Sequence, residues 1–189
     1  MSMQVVLASA SPRRLELLKQ IGIEPIVKPS SFEEKSGASK DAQEIVRMNA
    51  LGKCMDIAKN FPTNLAIIGA DTIVVTQGSI LGKPKNEQEA VAMLENLSGK
   101  AHQVMTGVAI FYQGRVVSEV CVTDVIFRSL TSEEISNYVK TGEPLDKAGA
   151  YGIQGKGAIL VEKIDGDYNN VVGLPLTKVY SILTRLGAV

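Results

Sequence analysis

The chain has a single histidine, two cysteines and no net charge, with 20 basic residues set against 20 acidic ones. One histidine excludes an HExxH zinc helix and leaves no convincing Ser-His-Asp set. That residue, His102, stands just before a β-rich run with no acid or cysteine beside it, and it reads as structural. The two cysteines, Cys54 and Cys121, fall in an expected helix and an expected strand. They form neither a disulfide framework nor a zinc ligand set, and they fit a reducing cytosol, so the expected location is cytoplasmic. The charge balance excludes a global basic surface for a nucleic-acid polymer, though not a local anion pocket. No run of 18 apolar residues occurs, so no membrane span is expected. The N-terminal MSMQVVLASASPRR lacks a basic n-region, and no secretory signal is expected. There is no GxxxxGK[ST] and no GxGxxG, which disfavours the common ATPase and dinucleotide readings. Internal repeats and low-complexity tracts are also missing.

What is present is an ordinary globular composition, 45% hydrophobic and 21% charged over 189 residues, enough for one substantial core or two small lobes. The chain is organised around Leu65 to Lys85, LAIIGADTIVVTQGSILGKPK. Asp71 lies there between two β-branched runs, and a carboxylate in that setting is costly to bury without a partner. Gly69 and Ala70 before it leave room for another element to approach the backbone closely. After the turn at Gln77-Gly78 come Ser79 to Leu81 and then Gly82-Lys83-Pro84-Lys85, making one hairpin with an acid at one end and lysines at the other. Asp71 either caps a loop or pairs with a structural lysine, or it works chemically.

Taken in order, Gln4 to Ala8 reads as a buried strand. Ser11 and Pro12 then start a helix through Leu15, Leu17, Leu18 and Ile21, ended by Gly22. Arg13 and Arg14 sit at its N-terminus, where the dipole disfavours cations. They make sense there with an anion between them and the free N–H groups. Residues 24 to 32 read as an edge strand, and Ser30 to Ser39 as a polar loop carrying Glu33 and Glu34. Asp41 to Asn60 reads as a helix with Val46, Asn49, Ala50, Lys53 and Ile57 on one face. Lys53 on that stripe either snorkels outward or points into a cleft. A helix over Asn86 to Leu97 follows, then a hairpin of Gln103 to Tyr112 with Arg115 to Arg128, and a helix opened by the capping box Thr131 to Glu134 and ending near Gly142. Glu143 to Gly157 is a long irregular, glycine-rich stretch, and loops of that length are often functional. Ala158 to Ile164 is expected as a strand, Tyr168 to Val172 as its partner strand, and a last helix ends at Gly187. The expected fold is α/β, a mixed twisted sheet flanked by helices in a single domain spanning 1–189, with division into two lobes open.

The cations Arg13, Arg14, Lys53, Lys83 and Lys85 stand against the acids Asp71, Glu33 and Glu34. A triphosphate carries a charge of about −4 at neutral pH. Binding one requires several cations and usually a hard divalent metal on one or two carboxylates. The set therefore fits a phosphoanhydride site, with a carboxylate that orients and deprotonates water. Gln154 adds a carboxamide that can pair with the N–H and carbonyl edge of uracil or thymine in two bonds, or else tie down its own loop.

Six ordered stretches carry a resemblance: Leu7 to Leu18, Ile67 to Val74, Leu81 to Lys85, Leu97 to Val108, Glu143 to Ala158 and Lys163 to Leu176. With these the chain closely resembles the Maf family of nucleotide pyrophosphatases, nearly end to end. The resemblance implies two lobes around a deep cleft, similar to inosine-triphosphate pyrophosphatases. It implies cleavage of a nucleoside triphosphate between the α and β phosphates with Mg²⁺ or Mn²⁺, giving a monophosphate and diphosphate. The AGAYGIQG form of the glycine loop looks like the branch acting on dTTP and UTP. Carried over, Asp71 is the proton acceptor, and Arg13, Thr72 and Gln154 select the substrate. Ser9, Arg14, Glu34, Lys53 and Lys83 complete the polar wall, with Lys53 and Lys83 assisting catalysis and Glu34 and Asp71 as metal ligands. Family resemblance also suggests a homodimer. Two alternatives stand beside this: a nucleotide-binding regulator of cell division without turnover, and a family member preferring 7-methyl-GTP.

Overall fold

The computed structural model describes residues 4–35 and 41–189. The far end of the expected polar loop, residues 36–40, and the first three residues of the chain lie outside the described residues. The chain forms β1 (Val5–Leu7), α1 (Pro12–Gln20), β2 (Ile26–Val27), α2 (Ala42–Ala58), β3 (Ala66–Thr76) and β4 (Ser79–Leu81). There follow α3 (Glu87–Leu97), β5 (Ala101–Tyr112), β6 (Arg115–Phe127), α4 (Ser132–Val139), β7 (Val161–Asp165), α5 (Tyr168–Val172) and α6 (Leu176–Leu186). The strands make a seven-stranded sheet ordered β2-β1-β3-β5-β6-β7, with β4 paired to β3. β1 pairs in parallel with both β2 and β3, whereas β3–β4 and β6–β7 are antiparallel, so the sheet is mixed as expected. No helix among the described residues is long and apolar enough to cross a membrane.

The chain divides into two compact units. The first comprises Met1–Asp71, Thr106–Cys121 and Gly173–Val189. Its core includes Val6, Ala8, Ala50, Cys54, Ile57, Ile67 and Ala109. Two glycines decide how α2 lies on its strands. A Cβ on Gly69 of β3 would stand 2.4 Å from the Ala50 carbonyl oxygen, and one on Gly107 of β5 would stand 2.2 Å from that of Val46. Both distances are shorter than any real carbon contact, so only glycine lets the helix backbone settle on the sheet. The element for which Gly69 and Ala70 leave room is α2.

The second unit comprises Thr72–Met105 and Val122–Val172. Val74, Leu94, Leu97, Val104, Phe127, Tyr138 and Tyr151 are among its core residues. Both hairpins turn where the sequence suggests, through Gln77-Gly78 and Gln113-Gly114, with positive φ at each of the four residues as a type I′ turn requires. α4 begins with the capping box of Thr131 and Glu134. His102 lies inside β5, not before it, and its Nε2 is 2.7 Å from the Tyr151 hydroxyl.

Two expectations fail in this unit. Residues 155–160 form a 3-10 turn, so the strand expected from Ala158 begins only at Val161, and it pairs with β6. Tyr168 to Val172 is a helix, not the partner strand. The cause is capping: the Asp167 carboxylate accepts from the Asn169 N–H at 2.7 Å and the Asn170 N–H at 3.2 Å, which starts a helical turn. Asn170 then buries its amide and donates to the Val104 carbonyl and the Thr123 hydroxyl, both at 3.0 Å. The stretch Glu143 to Gly157, expected to be irregular, contains short 3-10 turns at Glu143–Asp146 and Ala148–Ala150.

Candidate active site

Asp71 follows Gly69 by two residues in β3, and side chains two apart in a strand share a face. Gly69 brings α2 against that face, so Asp71 meets α2 side chains. It is 5% exposed. Its Oδ1 accepts from Lys53 Nζ at 2.7 Å and its Oδ2 from Asn49 Nδ2 at 3.0 Å. Lys53 and Asn49 are four residues apart on α2, the spacing that stacks side chains on one helix face. Lys53 therefore does not snorkel outward; its ammonium joins the acid.

Glu34 completes the group, its Oε1 lying 2.6 Å from the same Lys53 Nζ. The segment that carries Glu34 is strapped along α2 at three of its residues, Asp56, Gly52 and Asn49. Asp56 Oδ2 accepts from the Ser30 hydroxyl at 2.8 Å and the Ser31 N–H at 3.1 Å. The Phe32 ring sits over Gly52, where a Cβ would come within 2.3 Å of it. Asn49 accepts from the Lys35 N–H at 2.9 Å and donates to the Lys35 carbonyl at 3.2 Å. Asp71, Lys53, Glu34 and Asn49 thus close a ring, in which Asn49 holds both the acid and the Glu34 segment. Of the two acids on that loop, Glu34 is the one that pairs with the lysine.

Arg14 is buried beside this ring. Its Nε donates to the Gly173 carbonyl at 2.8 Å, and its Nη1 donates to Ser9 Oγ at 3.1 Å and to the Ala70 carbonyl at 3.0 Å. Burial pulls its pKa below the ordinary guanidinium value, opposed by the Asp71 carboxylate. A guanidinium held this way fixes the backbone next to Asp71. Ser9 accepts from Arg14 and from the Ser11 N–H at 3.2 Å, while Arg13 is half-buried on α1.

Thr72, Lys83 and Gln154 belong to the second unit. Thr72 is half-buried in β3, and Lys83 is exposed in the turn after β4. That turn is tied to the glycine loop, because the Gly149 N–H donates to the Gly82 carbonyl at 3.0 Å. Gln154 is exposed at the head of the 3-10 turn.

Two oxygen donors, Asp71 and Glu34, converge on the Lys53 ammonium, so the point they share already holds a positive charge. Hard carboxylate oxygens of this kind suit Mg²⁺ or Mn²⁺. Among the described residues no group of three or more His, Cys, Asp or Glu could hold a metal. A divalent cation here would have at most the two carboxylates from this group and would take its other ligands from water and phosphate.

Reading the sequence alone misses Asn49 as a site residue, although it stands on the α2 stripe already singled out. An amide on an apolar face must find partners, and its 2% exposure shows how fully it does so.

A buried acid held by a lysine and an asparagine, beside a second acid on the same lysine, defines a polar site in an α/β protein. The chain matches the family of Maf-like proteins over residues 4–186, and it belongs to that family. It is 48% identical to a dTTP/UTP pyrophosphatase of Dictyoglomus thermophilum over 190 residues, covering 99% of this chain and 98% of the relative. It is 51% identical to one of Halalkalibacterium halodurans over 174 residues, covering 92% and 91% of the two chains. Among solved structures, a nucleoside-triphosphatase / dITP/XTP pyrophosphatase of Mycobacterium abscessus covers 98% of this chain, with a TM-score of 0.49 and 16% identity.

Proposed function

We propose that this chain hydrolyses dTTP and UTP to the nucleoside monophosphate and diphosphate, with Asp71 as the proton acceptor. The observation that carries the reading is the buried Asp71 carboxylate held on both oxygens, by Lys53 and by Asn49, in a chain whose relatives carry that activity in their names. A carboxylate offers about four lone-pair sites. Two are taken here among the described residues, which leaves acceptor capacity for one proton of a water.

In the step proposed, the water oxygen bonds to the α phosphorus as its proton passes to Asp71. The α–β bridging bond breaks, and diphosphate leaves. Lys53 donates to Asp71 and fixes its rotamer. A divalent cation on Glu34 and Asp71 would supply charge neutralisation for the phosphates. The need for it follows from the charges: Lys53 and Arg14 are matched by Asp71 and Glu34, so a substrate of about −4 brings charge that this group does not balance. Lys83 and Arg13 are proposed as further phosphate contacts, and Thr72 and Gln154 as contacts to the base and sugar. One domain spanning the chain, a cytoplasmic location and a homodimer remain parts of the same proposal.

The test is Asp71→Asn, which keeps the shape but removes the basic oxygen and leaves one acceptor where the carboxylate has two, so that only one of the two partners is kept. Diphosphate release should fall about a hundred- to ten-thousandfold, the usual worth of a positioned base, with the melting temperature held within a few degrees. A rate near that of the unaltered protein would remove Asp71 from the mechanism.

A further inference from the structure

Gln154 has an exposed side chain with no partner among the described residues, yet the backbone on both sides of it is held. Glu143 does most of the holding. Its Oε1 accepts from the Gly157 N–H at 3.1 Å and the Tyr138 hydroxyl at 2.9 Å, and its Oε2 accepts from the Lys156 N–H at 3.1 Å. The Tyr138 hydroxyl in turn accepts from the Gly152 N–H at 3.2 Å. One carboxylate and one phenol thus fasten the chain two residues before Gln154 and two and three residues after it. Lys147 Nζ adds a bond to the Glu143 carbonyl at 2.6 Å. Burial works to raise the Glu143 pKa, but the N–H groups of Lys156 and Gly157 and the Tyr138 hydroxyl outweigh it, so Glu143 stays ionised.

The loop admits only this packing. A Cβ on Gly157 would stand 2.2 Å from the Gly152 carbonyl oxygen and 2.7 Å from the Tyr138 hydroxyl, and one on Gly155 would stand 2.9 Å from Glu143 Oε2. The acid, the phenol and the glycines are fitted to one another with no slack.

Base choice gives this rigidity a purpose. Uracil and thymine present an N–H donor beside a carbonyl acceptor, which a carboxamide matches with its oxygen and its NH₂. Cytosine presents an acceptor ring nitrogen beside an amino donor. The same carboxamide matches that edge once it is shifted or turned over. A glutamine therefore discriminates between these bases only if its position is fixed.

We propose that Glu143 and Tyr138 are positioning residues that hold the Gln154 loop in the one register that favours uracil and thymine over cytosine. This inference rests on the reading of Gln154 given above.

The experiment measures kcat and KM for diphosphate release from dTTP and from CTP, with Mg²⁺, in five variants: Gln154→Ala, Glu143→Ala, Glu143→Gln, Tyr138→Phe, and Gln154→Ala combined with Tyr138→Phe. Tyr138→Phe keeps the ring in its core position and so guards against a Glu143→Ala protein that fails to fold. Glu143→Ala and Tyr138→Phe should each cut the dTTP-over-CTP ratio of kcat/KM about tenfold, the worth of roughly one hydrogen bond, mainly through a higher KM for dTTP. Glu143→Gln, which keeps a side-chain acceptor, should recover part of the loss. Tyr138→Phe should change nothing further once Gln154 is alanine. If Gln154→Ala collapses the ratio while Tyr138→Phe and Glu143→Ala leave it intact, the positioning role is overturned and the reading of Gln154 stands. If Gln154→Ala leaves the ratio intact, that reading falls, and the positioning role falls with it.

Discussion

The Asp71 ring and the Gln154 loop are built by opposite means. In the ring the side chains hold one another. Asp71, Lys53, Glu34 and Asn49 are joined by contacts of 2.6 to 3.0 Å, and the acid is almost wholly buried. In the loop the backbone is held and the key side chain is left exposed, with Glu143 and Tyr138 taking the N–H groups on either side of Gln154. The difference matches the two tasks proposed for Asp71 and Gln154. A group that must accept a proton needs a preorganised charge environment, whose reorganisation during the reaction is costly. A group that must read a base edge needs free donors and acceptors on a fixed mount. The ring is expected to answer to changes of charge, and the loop to changes of backbone and packing.

The largest effect should come from Lys53→Met, which removes the ammonium shared by both acids while keeping the length of the side chain. Diphosphate release should fall about a hundred- to a thousandfold, as for loss of a preorganised charge in a buried site. Steady-state kinetics with dTTP would check this. A fall of less than threefold would mean the two acids do not depend on Lys53.

The next effect concerns pH and the second unit. Burial lowers the His102 pKa from its usual value to about 4, and its Nδ1 is buried with no partner among the described residues. Its ring packs edge-on against Phe127 and Tyr151. The folded state therefore favours the neutral ring, so the unfolded chain binds more protons between its ordinary value of 6.5 and about 4. Stability is fully present above that ordinary value and is lost as pH falls through the window, by about 3 kcal/mol in all. Urea unfolding from pH 7 to pH 4 should show this loss, and His102→Gln should flatten the curve there. A slope unchanged by the substitution would assign the pH response to other groups.

Asn49→Leu should have a smaller effect, about ten- to fiftyfold on kcat, because it removes one hydrogen bond to a charged group and the tie to Lys35 but leaves Lys53 in place. Asn49→Asp sharpens the point. It keeps an acceptor for the Lys35 N–H but sets a second carboxylate against Asp71, so it should be the worse of the two despite being nearly isosteric. Equal rates for the two variants would show that Asn49 only fills space.

Much of the fold was legible because its signals are local. The β3 strand shows its β-branched runs, the two hairpins show Gln-Gly turns, and α4 shows its capping box. α5 is not legible because Tyr168 to Val172 has apolar ends that look like a strand. The deciding signal, Asp167 capping the N–H groups of Asn169 and Asn170, is a side-chain bond that alternation does not report. In the site, Asp71 and Lys53 stand out in sequence as charges in apolar company. Asn49 and Glu143 do not, because their meaning lies in partners far along the chain: Asp71 is 22 residues from Asn49, and Gly157 is 14 from Glu143. Arg14 stands out in sequence by its place at a helix start, but its carbonyl partners at Ala70 and Gly173 are visible only once the chain is folded.

The most direct measurement is diphosphate release by the purified protein from dTTP, UTP, CTP, GTP and 7-methyl-GTP, with Mg²⁺ and then Mn²⁺. Release from dTTP and UTP should stand well above the other three, with the monophosphate formed in equal amount. Nucleotide bound without release, or 7-methyl-GTP turned over fastest, would contradict it.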